Sequence, residues 1–335
     1  MNRWLQTLTA TFLIVSLGYA GPANAQYEDV GSLDELSGAL EVMAGQYADN
    51  YVQPVSDAFG AGMNSAMFRT ADAGGGILPG VDVYVGVSVT GALMASSDRS
   101  FLPQNQTLTV DGRELRFDYS NGRVPTAFGE TKTPSATVDI TDVGTGQTTN
   151  VQLPPGIVNT PVAPLVIPQL GVGTAFGTDV MLRYLPRTRL KSYGTVGVFG
   201  LGVRHSISQY IPMSPVDIAV QGAYNSISLE DKNVEGDVLD ASGYAFNLQV
   251  SKSLPVLPVT FYSGLQYETF DASYAYTFQP QNSNIDPVSF TLDQEASNKV
   301  RGVAGVTITL AVVRINADYS LSGNDVVTVG MGVQL

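Results

Sequence analysis

The sequence predicts an all-β fold: an antiparallel transmembrane β-barrel of ten to fourteen strands, with a short helical segment ahead of it. Three observations carry that prediction. From residue 80 onward, apolar residues alternate with polar or small ones over lengths sufficient to span a bilayer. Glycine is abundant, at 35 of 335 residues, and only 14% of residues are charged, against roughly 25% in an ordinary soluble domain. Beyond the N-terminus no stretch of about 20 apolar residues occurs, so no helical span is expected. A closed barrel is then the remaining way to satisfy a backbone in lipid.

The first 25 residues, "MNRWLQTLTATFLIVSLGYAGPANA", read as a secretory signal. Arg3 is the basic region, Leu8 to Ala20 the apolar region, and Ala23-Asn24-Ala25 a small-x-small cleavage site. Cleavage after Ala25 would start the mature chain at Gln26 and send it out of the cytoplasm, with the bacterial outer membrane as its expected location. There is no cysteine, which excludes a lipid-bearing N-terminal Cys, disulfides and thiolate chemistry. With 17 Lys and Arg against 30 Asp and Glu, the chain is too acidic to bind nucleic acid through its phosphates.

Residues 26–79 differ from the rest. Leu33, Leu36, Leu40, Met43 and Tyr47 recur at helical spacing. Ser32 and Glu35 form a capping box at the start, and Pro54 is expected to end or kink the helix. The sequence "FGAGMNSAMFRTADAGGGILPG" that follows has little periodicity. We read 26–79 as a plug or hatch-like segment outside the barrel wall, seated in the lumen or at its periplasmic mouth. Leu36, Leu40, Met43 and Tyr47 are its candidate ligand-facing side chains. The domain division is 1–25 signal, 26–79 helical segment and 80–335 barrel.

Within 80–335 the dyads repeat. Val81, Val83, Val85, Val87 and Val89 oppose Asp82, Tyr84, Gly86 and Ser88. In "YGTVGVFGLGVRHSISQY", Phe199, Leu201 and Val203 oppose Gly200, Gly202 and Arg204. The last strand sets Val327, Val329, Met331, Val333 and Leu335 against Thr328, Gly330, Gly332 and Gln334. Apolar faces of about 9 to 12 residues match tilted spanning strands and exceed ordinary sandwich strands. Tyr184, Tyr193, Tyr224, Tyr244, Tyr267 and Tyr319 fall near strand ends, as in an interfacial girdle.

Placing the C-terminus in the periplasm fixes the direction of each strand. Strand 325–335 descends, 312–322 and 259–277 ascend, and 192–205 descends. Tight periplasmic turns are expected near 310–312 and at "LPVLP" (254–258), and external loops at 230–243 and 279–296. Residues 95–168 must supply an odd number of spanning strands. Two hairpin-like pieces there, "TLTVDGRELRFDYSNG" and "TVDITDVGTGQTTNVQL", make three the favoured number and twelve the favoured total.

No catalytic site is expected, and no cofactor. His205 beside Ser206 offers the one place for a Ser–His pair, without a G-x-S-x-G elbow. One histidine and no cysteine leave no transition-metal site, and "GVFGLG" lacks the helix and acidic partner of a dinucleotide fingerprint. The acidic residues at 230–240 read as a solvated loop. The informative polar residues face the lumen: Asp82, Asp179, Arg183, Asp217, Glu268, Arg301, Arg314 and Asp318. Their mixed signs point to side-chain pairs that fill or narrow the barrel, where a wide porin would carry a stripe of charge.

Three stretches, "YVQPVSDAFGAGMNSAMF", "GLGVRHSISQYIPMSPVDIAVQGAY" and "VVRINADYSLSGNDVVTVGMGVQL", resemble uncharacterised outer-membrane barrels of Bacteroidota and relatives. The plan is more distantly similar to outer-membrane long-chain fatty-acid transporters, which place a small N-terminal hatch before a barrel of fourteen strands. Their hatch carries Asn-Pro-Ala; here Asn64-Ser65-Ala66 lacks the proline, and Asn64 is the counterpart this resemblance implies. Leu335 departs from the aromatic ending that many barrels use for assembly. The expected partners are outer-membrane lipid, a small hydrophobic ligand and the barrel-assembly machinery. The expected function is passive uptake of small apolar molecules, with a purely structural barrel as the alternative.

Overall fold

A computed structural model describes residues 33–72, 81–110, 112–119, 122–131, 137–153, 155–156, 159–190, 194–230, 237–278 and 288–335. The expected signal 1–25, Ser32, Tyr193 and the loop residues 231–236 and 279–287 lie outside the described residues. The chain begins with α1 (Leu33–Met63). Then come β1 (Val81–Leu93), β2 (Ser100–Phe101), β3 (Gln106–Val110), β4 (Arg113–Tyr119), β5 (Val124–Pro125), β6 (Thr137–Asp142) and β7 (Thr148–Gln152). They are followed by β8 (Val162–Thr174), β9 (Thr178–Leu190), β10 (Gly194–Ser206), β11 (Asp217–Glu230), β12 (Asp237–Ser253) and β13 (Val259–Glu268). The last strands are β14 (Asp271–Phe278), β15 (Val288–Glu295), β16 (Val300–Leu310), β17 (Val313–Leu321) and β18 (Val326–Gln334).

Ten strands close the wall, in the order β1, β18, β17, β16, β13, β12, β11, β10, β9, β8 and back to β1, with every neighbour antiparallel. The total is ten, not the favoured twelve. Both hairpins of 95–168 form, as β3–β4 and β6–β7, but they join in a four-stranded sheet beyond the rim. At five to seven residues these strands are too short to span, and Glu114, Arg116, Asp118 and Asp139 on them would be costly in lipid. Only β8 spans from this region. Its pairing with β9 runs from Gln169 to Gly173, and Pro164, Pro168 and Pro186 lie where that pairing lapses, since proline has no ladder donor.

We call the end that holds Leu335 and the start of β1 the lower end. The connectors there are short: 175–177, 207–216, 254–258 and the two residues Ala311 and Val312. The tight turn expected from the phase change near 310–312 and the short turn expected at 254–258 from strand direction both stand. Ala311 takes a positive φ of 53°, as a two-residue hairpin demands. The upper end carries the four-stranded cap. The residues expected as external loops are partly strand: 237–243 belong to β12, and 288–295 form β15, paired with β14 above the barrel rim. β14 continues the line of β13 after a break at Thr269 and Phe270, so the ladder outlasts the wall.

Side chains alternate as the dyads require. Phe199, Leu201 and Val203 are exposed outward, while Val196, Val198, Gly200, Gly202 and Arg204 are buried inward. The outward positions from Val85 to Val89, Val180 to Tyr184, Ile218 to Tyr224, Tyr244 to Val250, Val259 to Tyr267, Val313 to Leu321 and Val327 to Leu335 carry no charged residue. Tyr184, Tyr244, Tyr267 and Tyr319 edge this belt near its upper side. Strands of nine residues, such as β17 and β18, rise roughly 23 Å at a tilt of about 40°, close to the apolar band of membrane barrels.

Pro54 lies inside α1 and does not end it. The turns after Pro54 are packed on all sides by the wall, which offsets the lost backbone bond. Phe59 to Met63, expected to lack periodic structure, are therefore helical.

Candidate functional site in the barrel lumen

The described residues of the N-terminal segment lie among inward-facing side chains of the wall. α1 descends from the cap into the barrel, and residues 64–72 continue toward the lower end as irregular backbone, with Ala66 at a positive φ of 60°. In the upper half the contact is apolar. Val55, Ala58, Phe59, Ala61 and Met63 of α1 pack on Ala92, Leu165, Ile167, Val196, Val198, Ile227, Phe270 and Val326 of the surrounding strands and loops. A ten-stranded barrel leaves little room around a helix, so small residues line the contact. A Cβ on Gly62 would stand 2.6 Å from the Leu165 side chain.

At the end of α1 the wall turns polar, because the last carbonyls of a helix have no partner within it. Arg183, fully buried, donates from Nη1 to the Met63 carbonyl at 2.6 Å and from Nη2 to the Ser65 carbonyl at 2.6 Å. Arg301, also fully buried, donates from Nη2 to the Ala61 carbonyl at 2.9 Å and from Nη1 to the Ser65 hydroxyl. Its guanidinium also grips Glu268 with two bonds, Nη2 to Oε1 at 2.8 Å and Nε to Oε2 at 3.1 Å. Both cations sit at the negative end of the helix dipole.

Asn64 lies at the centre of this ring. Its amide donates to the Thr269 carbonyl at 3.1 Å and accepts from Asn225 at 3.1 Å, and its backbone carbonyl accepts from Gln266 at 2.9 Å. Below it the irregular backbone is satisfied one carbonyl at a time. Gln169 donates to Ala66 at 3.0 Å, Thr307 to Arg69 at 2.6 Å, and Arg204 to Thr70 and to Asp72. Irregular backbone at this depth survives only where protein supplies such partners. Phe68 fills a slot over Gly264, where a Cβ would meet the Phe68 ring at 2.3 Å.

The eight lumen residues expected from sequence face inward. Glu268 and Arg301 are paired, Asp179 pairs with Arg204, and Asp318 accepts from the Tyr262 hydroxyl at 2.9 Å. Asp82 accepts from Gln334, and Asp217 from Ser251 at 3.5 Å. Arg314 lines a cavity of about 20 Å³ at the lower end with Arg69, Asp82, Tyr84, Asp179 and Arg204, and Arg69 lies 3.8 Å over the Tyr84 ring. That cavity is polar and far too small for an apolar solute. Arg183 has no carboxylate partner among the described residues. Sequence reasoning missed Gln169, Arg204, Asn225, Gln266 and Thr307 as holders of the segment. Their one signal was an inner face rich in amides.

Of the ligand-facing candidates on α1, Tyr47 is buried against the cap and not against the lumen. It packs with Phe117, Val138, Ile140 and Leu153, and its ring lies 5.1 Å from Phe101 and 6.1 Å from Tyr51. Burial, with the neighbouring Tyr51 and Tyr119, pushes its hydroxyl above the ordinary tyrosine range. Leu36, Leu40 and Met43 fall within α1, but their side chains lie outside the described residues. The upper hairpin also holds the helix. Gln294 donates to Asp49 at 2.6 Å, and the Tyr274 and Ser56 hydroxyls bond at 2.8 Å.

His205 does not meet Ser206. Its Nδ1 bonds Thr178 at 2.8 Å and its Nε2 bonds the Tyr210 hydroxyl at 3.0 Å, while Ser206 bonds Ser208 at 3.0 Å. Among the described residues no group of His, Asp and Glu could hold a metal ion, and no helix is long and apolar enough to cross a membrane.

No curated protein matches the chain. It is similar to OmpT, an outer membrane protein of Vibrio cholerae, at 10% identity and a TM-score of 0.25, covering 76% of this chain and 97% of that one. It is also similar to the translocator domain of the autotransporter NalP from Neisseria meningitidis, at 14% identity and a TM-score of 0.21, covering 91% and 99%. OccK5 from Pseudomonas aeruginosa is similar at 8% identity and a TM-score of 0.20, covering 78% and 98%. Scores this low carry no argument about activity. The sequence match is of another kind, because it runs the full length from residue 1 to residue 335 and gives neither a Bacteroidota source nor a likeness to fatty-acid transporters: the chain belongs to the family of unknown function DUF6588.

Proposed function

We propose that this chain is an outer-membrane barrel plugged at rest by its own N-terminal segment, and that it serves passive uptake of small apolar molecules when that segment moves. The charge-free outer belt supports membrane embedding. The observation that carries the uptake reading is the apolar upper half of the lumen. Water-filled barrels have polar interiors, whereas this wall presents Leu165, Ile167, Val196, Val198 and Ile227 to the interior. Withdrawal of α1 would leave a vestibule suited to an aliphatic or aromatic solute.

A second reading, a permanently closed structural barrel, is favoured by the buried ring of Arg183, Arg301 and Glu268, which ties the segment to the wall. Uptake of a labelled fatty acid and of an aromatic hydrocarbon separates the two. Cells carrying the intact gene, a gene deletion, or a deletion of residues 32–58 are compared. Uptake that falls on gene deletion and changes on removal of the helix supports the first reading. Equal uptake in all three supports the second.

A further inference from the structure

The lower rim has a composition that nothing above uses. Its four connectors, 175–177, 207–216, 254–258 and 311–312, contain no Asp, Glu, Lys or Arg. Large apolar side chains stand out from them: Met213 is 99% exposed, Val256 91% and Phe176 81%, with Tyr210, Ile211 and Leu257 also exposed. The upper end is the opposite, with Asp98, Arg99, Glu114, Arg116 and Asp118 on or beside the cap.

Three of these connectors join consecutive wall strands from β8 to β13, so they lie side by side. They also adjoin the outer belt, with Lys252 the one charged outward residue between belt and connector on β12. Exposed Val203 and Val220 lead into 207–216, and exposed Val250 and Phe261 flank 254–258. A contiguous exposed apolar surface normally marks contact with something other than water. Its adjacency to the belt identifies what that is.

We propose that this rim lies in the phospholipid leaflet, as an interfacial surface that contacts the glycerol and upper acyl region of the lipid. Lys252, exposed at the foot of β12, then reaches the headgroups along its aliphatic stem. The connectors anchor one side of the barrel at a depth set by Met213, Val256 and Phe176. This inference rests on the reading that the belt faces lipid, and the test separates the two.

Trp4, within the expected signal, is the sole tryptophan, so a Trp4→Phe background has no tryptophan emission. Single tryptophans replace Met213 or Val256 on the rim, Val329 in the belt, or Leu102 at the exposed cap. The full chain is reconstituted in phosphatidylcholine vesicles with brominated acyl chains. Rim and belt tryptophans are expected to be quenched to a similar degree, and Leu102→Trp not at all. A quenched belt beside an unquenched rim overturns this proposal alone. An unquenched belt removes the membrane reading itself. Rim tryptophans shielded from both bromolipid and soluble acrylamide mark a protein contact and also overturn it.

Discussion

In the upper half of the lumen α1 is held by apolar packing; in the lower half residues 64–72 are held by hydrogen bonds from the wall. The difference follows from the backbone of the segment. A helix satisfies its own amides and carbonyls, so the wall around it can be Ala, Val, Ile and Leu. The irregular backbone of 64–72 inside the barrel pairs with no ladder, so each buried carbonyl needs a donor from the wall. Gln169, Gln266, Arg183, Arg204 and Thr307 supply those donors, while Arg301 bonds the Ala61 carbonyl at the helix end and the Ser65 hydroxyl. The inner face thus gains its buried amides and guanidiniums where α1 ends, at Met63, beside a smaller apolar cluster of Met67, Phe68, Met181, Ala223 and Val303.

The strongest way to break this arrangement is at the switch itself. Arg301→Met leaves Glu268 buried without its cation, and the barrel should lose about 3–5 kcal/mol in urea unfolding from detergent. Adding Glu268→Gln should restore most of that loss. A single variant as stable as the parent would mean that the ring does not hold the segment.

The apolar half is tested next by overpacking. Gly62→Val drives a side chain into Leu165, and a loss of about 1–3 kcal/mol is expected in the same assay. Its signature differs from that of the ring variant, because no polar partner rescues it; Leu165→Ala should, by making room.

A smaller effect probes the polar half. Thr307→Val keeps the shape but removes the donor to the Arg69 carbonyl, which should cost about 0.5–1.5 kcal/mol. Faster amide exchange near Arg69, with α1 still protected, would place the loss in the lower half alone.

The smallest change is a pH effect at the top of α1. The Tyr47 hydroxyl is held protonated by burial, so its folded pKa lies above the unfolded value of about 10. Its contribution is complete below about pH 10 and declines as pH rises beyond it. Protease cleavage of the cap should accordingly increase above that pH, and Tyr47→Phe should weaken the dependence. An identical alkaline profile in Tyr47→Phe would assign the effect to another group.

Much of this was legible in the residues. Alternation fixed which side chains face out, and the phase shift after Leu310 fixed a turn at Ala311 and Val312. The eight charged lumen residues followed from the same parity. Length separated β8 from the cap strands only once the pairings were known, because "TLTVDGRELRFDYSNG" alternates well enough to pass for a hairpin in the wall. Pairing is non-local, and the local pattern holds no record of it.

By itself, then, the sequence determined the barrel and its inward and outward faces, because a two-residue period is a local property of the strand. Tertiary structure alone decided that ten strands close, that Pro54 stays inside a helix, and that Arg183, Arg301 and Asn64 converge on one point. Those outcomes depend on curvature, on packing around α1 and on contacts between residues more than a hundred positions apart. No window of neighbouring residues encodes such contacts, because the energy that settles them exists only once the wall has closed around the segment.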